Sequence, residues 1–106
     1  MPKGEYLGEF EQIVLLALMR LADDAYGMKV RREIEERTGR SVTIGAVYAT
    51  LDRLQSKGLV QSSLGEPTAE RGGRAKRTFV VTAEGVAALK QSQAVLERMA
   101  DGVSFA

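Results

Sequence analysis

The chain contains no cysteine and no histidine among its 106 residues. Without cysteine, a disulfide framework and a thiolate metal site are excluded. Without histidine, the most common general base, the most common metal ligand and the usual partner of a nucleophilic serine are missing. The glycine motifs GxxxxGK[ST], GxGxxG and GxSxG do not occur either. These absences predict a protein that is not an enzyme and binds no metal or other cofactor.

Long apolar segments are also missing. The longest apolar run, residues 13–19, is far shorter than the ~20 residues that a membrane-spanning helix needs. The first ten residues contain no apolar signal core. Apolar residues make up 44% of the chain, which is enough for the core of one small domain. We therefore expect a single-domain cytoplasmic protein, in which Met19, Met28 and Met99 lie in apolar stripes and are buried.

The charge is unevenly distributed, although the net charge is only +1. Residues 29–77 contain eleven basic and six acidic side chains, which is a net charge of +5. The segments before and after them have net charges of −3 and −1. A basic middle segment between acidic ends is typical of a module with one surface for a polyanion such as DNA. The alternative is a mixed, solvated surface.

Hydrophobic spacing predicts two helices in the first part of the chain. Residues 7–21 repeat apolar side chains at helical intervals and are apolar on most sides. Residues 25–38 form a second amphipathic helix, with Asp23 or Asp24 as its N-cap and Gly39 as the left-handed residue after it.

A third helix is predicted over residues 44–57, with Thr43 as its N-cap. Its core stripe repeats every three or four residues, and its other face has small or polar side chains near the N-terminus. Small side chains let a helix enter a DNA groove closely. Gly45 costs ~1 kcal/mol inside a helix relative to alanine, and a need for close approach would explain that cost. An ordinary surface helix is the alternative.

Two strands follow the third helix. Gly58 ends that helix, residues 59–64 form a short strand, and residues 78–82 form its partner, with Phe79 and Val81 on one face. The connecting segment is too long for a tight turn. Four cations lie in or next to it, which suits contacts with phosphates or insertion into the minor groove, unless the loop only aids solubility: Arg71, Arg74, Lys76 and Arg77.

The last predicted helix spans residues 83–101 and is capped by Thr82. Its apolar stripe has a heptad-like spacing, interrupted by one polar residue, which favours packing against a second copy of the chain. The alternative, which does not exclude the first, is packing on the first helix of the same chain. The predicted dimer interface comprises Phe10, Val14, Leu18, Val86, Leu89, Gln93, Leu96, Ala100 and Val103.

The order of elements is therefore helix, helix, helix, strand, basic loop, strand, helix. This predicts an α+β fold, mostly α: a winged helix-turn-helix of three helices and a two-stranded wing, plus a C-terminal dimerisation helix. Residues 1–82 would form the DNA-binding domain, and residues 83–106 the dimerisation helix of the same compact unit.

Five short motifs in this order make the chain similar to the PadR family of bacterial transcriptional regulators, in its short subfamily with one C-terminal helix. A tyrosine-glycine pair opens the second helix, a tyrosine is followed three residues later by leucine in the third, and a glycine-leucine pair closes it. A basic wing and a threonine-x-x-glycine start of the last helix complete the pattern. In chain order, the five motifs lie at Tyr26-Gly27, Val47–Leu54, Lys57–Val60, Gly73–Arg77 and Thr82–Gly85. Thr-Ile-Gly at the start of the third helix and Thr78 in the second strand depart from the usual pattern.

The resemblance implies a homodimeric repressor of efflux, transport or detoxification genes that binds a pseudo-palindromic operator in double-stranded DNA. The third helix would enter the major groove and the wing would reach the minor groove. The implied DNA-binding residues are Thr43, Gly45, Ala46, Tyr48, Ala49, Thr50, Arg53, Arg71, Arg74, Lys76 and Arg77. A small apolar effector would bind between the first and last helices, but without the tryptophan on which some short members stack ligands. The alternative function is a winged-helix adaptor that binds proteins and not DNA.

Overall fold

The computed structural model describes residues 6–65 and 76–106. This part of the chain forms four helices and one two-stranded antiparallel sheet. The elements in chain order are α1 (Glu9–Leu21), α2 (Gly27–Thr38), α3 (Ile44–Ser56), β1 (Val60–Leu64), β2 (Arg77–Val81) and α4 (Ala83–Ala100). None of the helices in these residues combines the length and the apolar character that a bilayer crossing demands.

The core lies where α1 packs against α2, α3 and the sheet. Val14 and Leu15 of α1 are completely buried, as are Val47 and Leu51 of α3 and Phe79 of β2. Burying an apolar side chain of this size contributes about 1.5–3 kcal/mol relative to leaving it in water. The apolar stripes predicted from spacing therefore meet in one continuous core.

The start of α2 differs from the sequence prediction, because neither aspartate caps it. Its N-cap is Tyr26, with no side-chain hydrogen bond to the helix. Ala25 and Tyr26 are instead extended beside β2: the amide of Phe79 donates to the carbonyl of Ala25 at 2.9 Å, and Tyr26 forms an isolated bridge with Thr78. The chain is thus tied to the sheet before it becomes helical.

The other predicted helix ends are confirmed. Gly39 follows α2 in the left-handed conformation, with φ of 71°. Thr43 caps α3 by accepting a 3.1 Å hydrogen bond from the amide of Ala46 through Oγ1. Thr82 caps α4 in the same way, accepting from the amide of Gly85 at 3.0 Å.

The sheet forms the base of the wing. Val60 pairs with Val81 at one end and Leu64 with Arg77 at the other. Phe79 is buried, Val80 is exposed and Val81 packs against the core, as the period of two in a strand requires.

Only the first half of α4 packs against the rest of the chain. Ala88, Leu89 and Ser92 are buried, whereas every residue from Leu96 onwards is exposed. A side chain at Gly85 would collide with the carbonyl of Leu59, so only glycine allows this close approach of α4 to the wing. The prediction of buried methionines is wrong: Met19, Met28 and Met99 lie on the outer sides of their helices and are exposed.

Candidate nucleic-acid interface

The exposed face of α3 lies opposite its core stripe and is almost free of long side chains. Gly45, Ala49, Asp52 and Ser56 follow one another at intervals of four, three and four residues, and all four are exposed. We call these four residues the outer stripe of α3. No atom lies within 4 Å of a Cβ placed at Gly45. The helix therefore presents a smooth surface that another molecule could approach closely.

The N-terminal end of α3 is also open to solvent. Thr43 and Ala46 are exposed, although the Thr43 hydroxyl is used in the cap of the helix. The amides at the start of a helix carry a partial positive charge, which favours a nearby phosphate.

Two predicted DNA-binding residues of α3 are oriented towards the protein. Thr50 is only 3% exposed, and its Oγ1 lies 3.4 Å from Nη2 of Arg53. Tyr48 is half-buried and packs edge-to-face on Phe79, with ring centroids 6.4 Å apart. A Cβ at Gly27 would overlap the Tyr48 ring. Gly27, the glycine of the tyrosine-glycine motif, thus leaves room for the Tyr48 ring where α2 packs on α3. Thr50 belongs to the buried side of α3.

Arg53 is bound to a buried carboxylate. Oε2 of Glu11 accepts from Nζ of Lys57 at 2.9 Å and from Nε of Arg53 at 3.3 Å. Its other oxygen accepts from the amide of Gly8 at 2.9 Å, at the start of α1. We call Glu11, Arg53 and Lys57 the Glu11 cluster.

The Glu11 carboxylate is charged in spite of its burial. Burial raises the pKa of Glu11, but the hydrogen bonds from Lys57, Gly8 and Arg53 and the charge of Lys57 outweigh this, so that the pKa falls below its ordinary value of 4.5. The cluster therefore fixes the C-terminal half of α3 to α1 and partly neutralises the two cations there.

Arg77 connects the wing to α3. Its Nη2 donates to Oε1 of Gln55 at 2.8 Å and lies 3.5 Å from Oδ1 of Asp52. The guanidinium also lies over the ring of Phe79, 4.9 Å from the centroid. Ser62 of β1 donates to the same oxygen of Gln55 at 3.2 Å. Both strands of the wing are thus bonded to one side chain of α3.

Lys76 connects the wing to the turn between α1 and α2. Its Nζ is 4.3 Å from the centroid of the Tyr26 ring and 3.7 Å from Oδ1 of Asp24. Two of the four predicted wing cations, Lys76 and Arg77, are therefore partnered within the protein. The other two, Arg71 and Arg74, lie outside the described residues.

The interface contains no metal centre in its described part. No three acidic side chains in residues 6–65 and 76–106 are grouped so that they could bind a metal ion.

Comparison with known proteins agrees with this geometry. Residues 15–91 match the transcriptional regulator PadR-like family. The chain belongs to this family. Its members regulate transcription, and the PadR-like chain is accordingly a DNA-binding regulator and not an enzyme.

Solved structures support the same assignment. A PadR family transcription regulator from Clostridium difficile R20291 is 26% identical, with a TM-score of 0.69, and the match covers 89% of the PadR-like chain and 96% of the other. The complex structure of hsRosR-S1 is 29% identical, with a TM-score of 0.68, over 92% of the chain and 79% of the other. F93 from STIV, a winged-helix DNA-binding protein, shares the fold at 15% identity, with a TM-score of 0.70, over 94% and 100%. No curated protein matches the chain.

The residues predicted for a dimer interface fall into three groups in the PadR-like chain. Val14, Leu18 and Leu89 are buried in the chain's own core and leave almost no surface for a partner. Phe10 and Val86 are half-buried. Gln93, Leu96 and Ala100 are exposed along α4, and Val103 is exposed just after the end of that helix. Any interface with a second copy must therefore use the latter two groups, because the core already covers the first.

Sequence reasoning missed several residues of this site, among them Glu11, Asp52 and Gln55. Glu11 leaves a recognisable signal, because it interrupts an apolar stripe of Leu7, Val14 and Leu18 at the same four- and three-residue intervals. Asp52 lies three residues after Ala49 and seven after Gly45, so it continues the helical spacing of that face. Gln55 leaves no such signal, since its partners come from both strands of the wing.

Proposed function

We propose that the protein represses transcription as a homodimer bound to a pseudo-palindromic operator. The observation that supports this most strongly is the combination of the outer stripe of α3 with a wing bonded to the same helix. A recognition helix must enter the major groove, which is about 12 Å wide, and the small residues Gly45 and Ala49 remove the side chains that would prevent close approach.

Base contacts would come from α3. Thr43, Ala46 and Ala49 are exposed near the N-terminus, where a recognition helix contacts base edges, and the methyl groups of the alanines suit thymine. Arg53 is half-exposed, with 53% of its side chain accessible despite the ion pair with Glu11. Tyr48 and Thr50 would act indirectly, by packing α3 in its position.

Backbone contacts would come from the wing. Arg71 and Arg74 are the wing cations that we propose for phosphate or minor-groove contact. Lys76 and Arg77 would fix the base of the wing, and a share of their charge would still attract the DNA backbone.

The second copy would bind along α4. Leu96 is 62% exposed, and Met99 on the same half of the helix is also exposed. Val103, three residues after the helix ends at Ala100, is exposed as well. A row of large apolar side chains on a helix that the domain does not cover favours association. Two copies related by a twofold axis would place their α3 helices about 34–36 Å apart, one turn of DNA.

We further propose that the genes under control encode efflux, transport or detoxification proteins, and that a small apolar effector releases the operator. A cavity of about 290 Å³ lies between α1, β2 and the start of α4, lined by Leu18, Met19, Ala22, Val80, Val81 and Val86. Its apolar lining and its position beside the proposed interface support this role. The protein would act in the cytoplasm, where the operator lies.

Fluorescence anisotropy with the promoter of the protein's own gene, at two salt concentrations, tests the proposal. We expect tight binding that weakens with salt, because released counterions contribute to affinity. Ala49→Glu should reduce affinity at least about tenfold, since it places a negative charge in the groove. Ala87→Glu, on the exposed side of α4 away from the proposed interface, is the matched control and should bind normally.

The outcome separates the two functions. Binding that is equal for wild type and Ala49→Glu would contradict the major-groove position of α3. A folded protein that binds neither this promoter nor competitor DNA at low salt would favour the protein–protein adaptor. Repression itself requires that the bound protein reduce transcription from the promoter in a purified system.

A further inference from the structure

The outer stripe of α3 contains one acidic residue that phosphate binding does not explain. Asp52 has 61% of its side chain exposed. It lies seven residues, or two turns, after Gly45 on the same face, which places it about 10 Å further along the helix axis. A carboxylate on a surface that approaches DNA is repelled by phosphates, so a favourable contact of Asp52 with DNA would have to be with a hydrogen-bond donor.

The neighbours of Asp52 on the stripe make it the principal polar group there. Gly45 and Ala49 carry no polar side-chain atoms, and Ser56 is in the last position of the helix. When α3 enters a major groove through its small residues, Asp52 is the acidic side chain of the stripe that faces the base edges, while the neighbouring Arg53 is paired with Glu11. Flanking residues Tyr48 and Gln55 are directed to the core and the wing.

The chemistry of an ionised carboxylate selects one base. It only accepts hydrogen bonds, and the donors in the major groove are the N4 amino group of cytosine and the N6 amino group of adenine. Adenine presents its N7 acceptor beside N6, which repels a carboxylate, whereas an amide side chain would bind both atoms. Cytosine is therefore the base that matches Asp52.

Arg77 supports this arrangement. Its Nη2 lies 3.5 Å from Oδ1 of Asp52, on the side of the wing. Among the described residues no hydrogen bond or ion pair involves Oδ2 of Asp52. The cation offsets part of the negative charge near the phosphates and restrains the carboxylate, while Oδ2 remains available to a base.

We propose that Asp52 is a specificity-determining residue that accepts a hydrogen bond from N4 of a cytosine in each half-site of the operator. This inference rests on the proposed DNA-binding function. It adds which residue distinguishes bases and which base it selects.

The test is selection of bound sequences from a randomised duplex library by the full-length wild type and by Asp52→Asn and Asp52→Ala. We expect one position of each half-site to be cytosine for the wild type. This preference should fall about tenfold in Asp52→Ala and change towards adenine in Asp52→Asn, because an amide binds N6 and N7 together. Asp23→Asn, at an exposed aspartate in the turn between α1 and α2, is the matched control and should keep the cytosine.

Other outcomes have defined meanings. If both Asp52 variants bind all sequences more weakly but keep the wild-type preference, Asp52 only supports Arg77, and the inference is overturned. If the wild type enriches a motif that contains no position sensitive to Asp52, the inference fails and the proposed function remains. If the wild type enriches no sequence, both fail. Thermal unfolding of the exposed-site variants verifies that each protein is folded.

Discussion

Nε of Arg53 in the proposed recognition helix lies 3.3 Å from Oε2 of Glu11, a carboxylate that is only 7% exposed in the first helix. The two residues are 42 positions apart in the chain. The half-exposed guanidinium of Arg53 in α3 is thus held by the buried carboxylate of Glu11 in α1. The charge of this one residue of α1 therefore contributes, beside the core packing of Val47 and Leu51, to the position of α3 on the domain.

Neutralising that residue should destabilise the fold. We expect Glu11→Gln to lower the free energy of unfolding by about 1–3 kcal/mol, because two cations lose the charge that compensates them. Urea denaturation at pH 7 measures the change. Glu9→Gln is the control: its carboxylate forms one exposed ion pair with Arg40, so the loss should stay below about 0.5 kcal/mol. Equal losses in both variants would contradict the role of the cluster.

The same carboxylate should make stability depend on pH. The pKa of Glu11 in the folded state is below its ordinary value of 4.5, so the unfolded chain binds the proton more tightly. Its stabilising contribution is therefore complete above about pH 4.5 and is lost as the pH falls through the lower, folded-state pKa. Unfolding curves of wild type and Glu11→Gln should converge on acidification. A difference that is constant from pH 7 to pH 3 would exclude this linkage.

Two glycines should respond in opposite ways to the same substitution. Gly27→Ala should destabilise the protein by about 1–3 kcal/mol, because the new methyl group would overlap the ring of Tyr48. Gly45→Ala should stabilise it by up to about 1 kcal/mol, since the space there is open and alanine is the better helix former. Thermal unfolding of both variants measures the contrast.

Gly45→Ala also tests close approach to DNA. If the outer stripe lies against base edges, the more stable variant should bind the operator more weakly, and Gly45→Ser more weakly still. Anisotropy titrations measure both affinities. An operator affinity that rises together with stability would place Gly45 away from the DNA.

The wing cations should separate into two kinds. Arg74→Ala should weaken binding to all sequences and reduce the dependence of log affinity on log salt concentration by about 1.8, because each of the two subunits loses one phosphate contact at about 0.9 per contact. Lys76→Ala breaks contacts with Asp24 and Tyr26 in the protein, so affinity should fall with a smaller change in that slope. The double variant should show both effects. An unchanged affinity and slope in the double variant would remove the wing from the interface.

The exposed half of α4 should control assembly. Leu96→Glu is expected to convert a dimer to a monomer at micromolar concentration, because it places a charge among apolar side chains at the proposed interface. Sedimentation equilibrium measures the change, and Ala87→Glu is the control. A wild type that is monomeric at high concentration would refute the proposed interface directly.

The fold is largely predictable from this sequence, because apolar periodicity, threonine caps and glycine ends coincide. Every helix and strand begins and ends within about two residues of its predicted position. The residue that caps α2 is the exception. Neither Asp23 nor Asp24 caps the helix, because Ala25 and Tyr26 pair with β2, which is a contact between distant parts of the chain.

The candidate site is less predictable for the same reason. Residue type and spacing identify Thr43, Gly45 and Ala49 as the open face of α3. They cannot show that Thr50 is buried or that Arg77 is bound to Gln55, since those contacts depend on how the wing packs on the helix. The sequence likewise could not show that Val14, Leu18 and Leu89 are buried within one chain. Apolar side chains at helical spacing are equally typical of a domain core and of a dimer interface.

The bonds from both wing strands to Oε1 of Gln55 have a consequence for the DNA itself. With Ser62 and Arg77 on one acceptor, two hydrogen bonds restrain the base of the wing relative to α3. If the proposed interface binds DNA with this spacing kept, grooves of different width must deform to fit it. The energy of that deformation depends on base steps that no side chain touches. Operators would then be ranked partly by the intrinsic shape and stiffness of the base pairs between α3 and the wing.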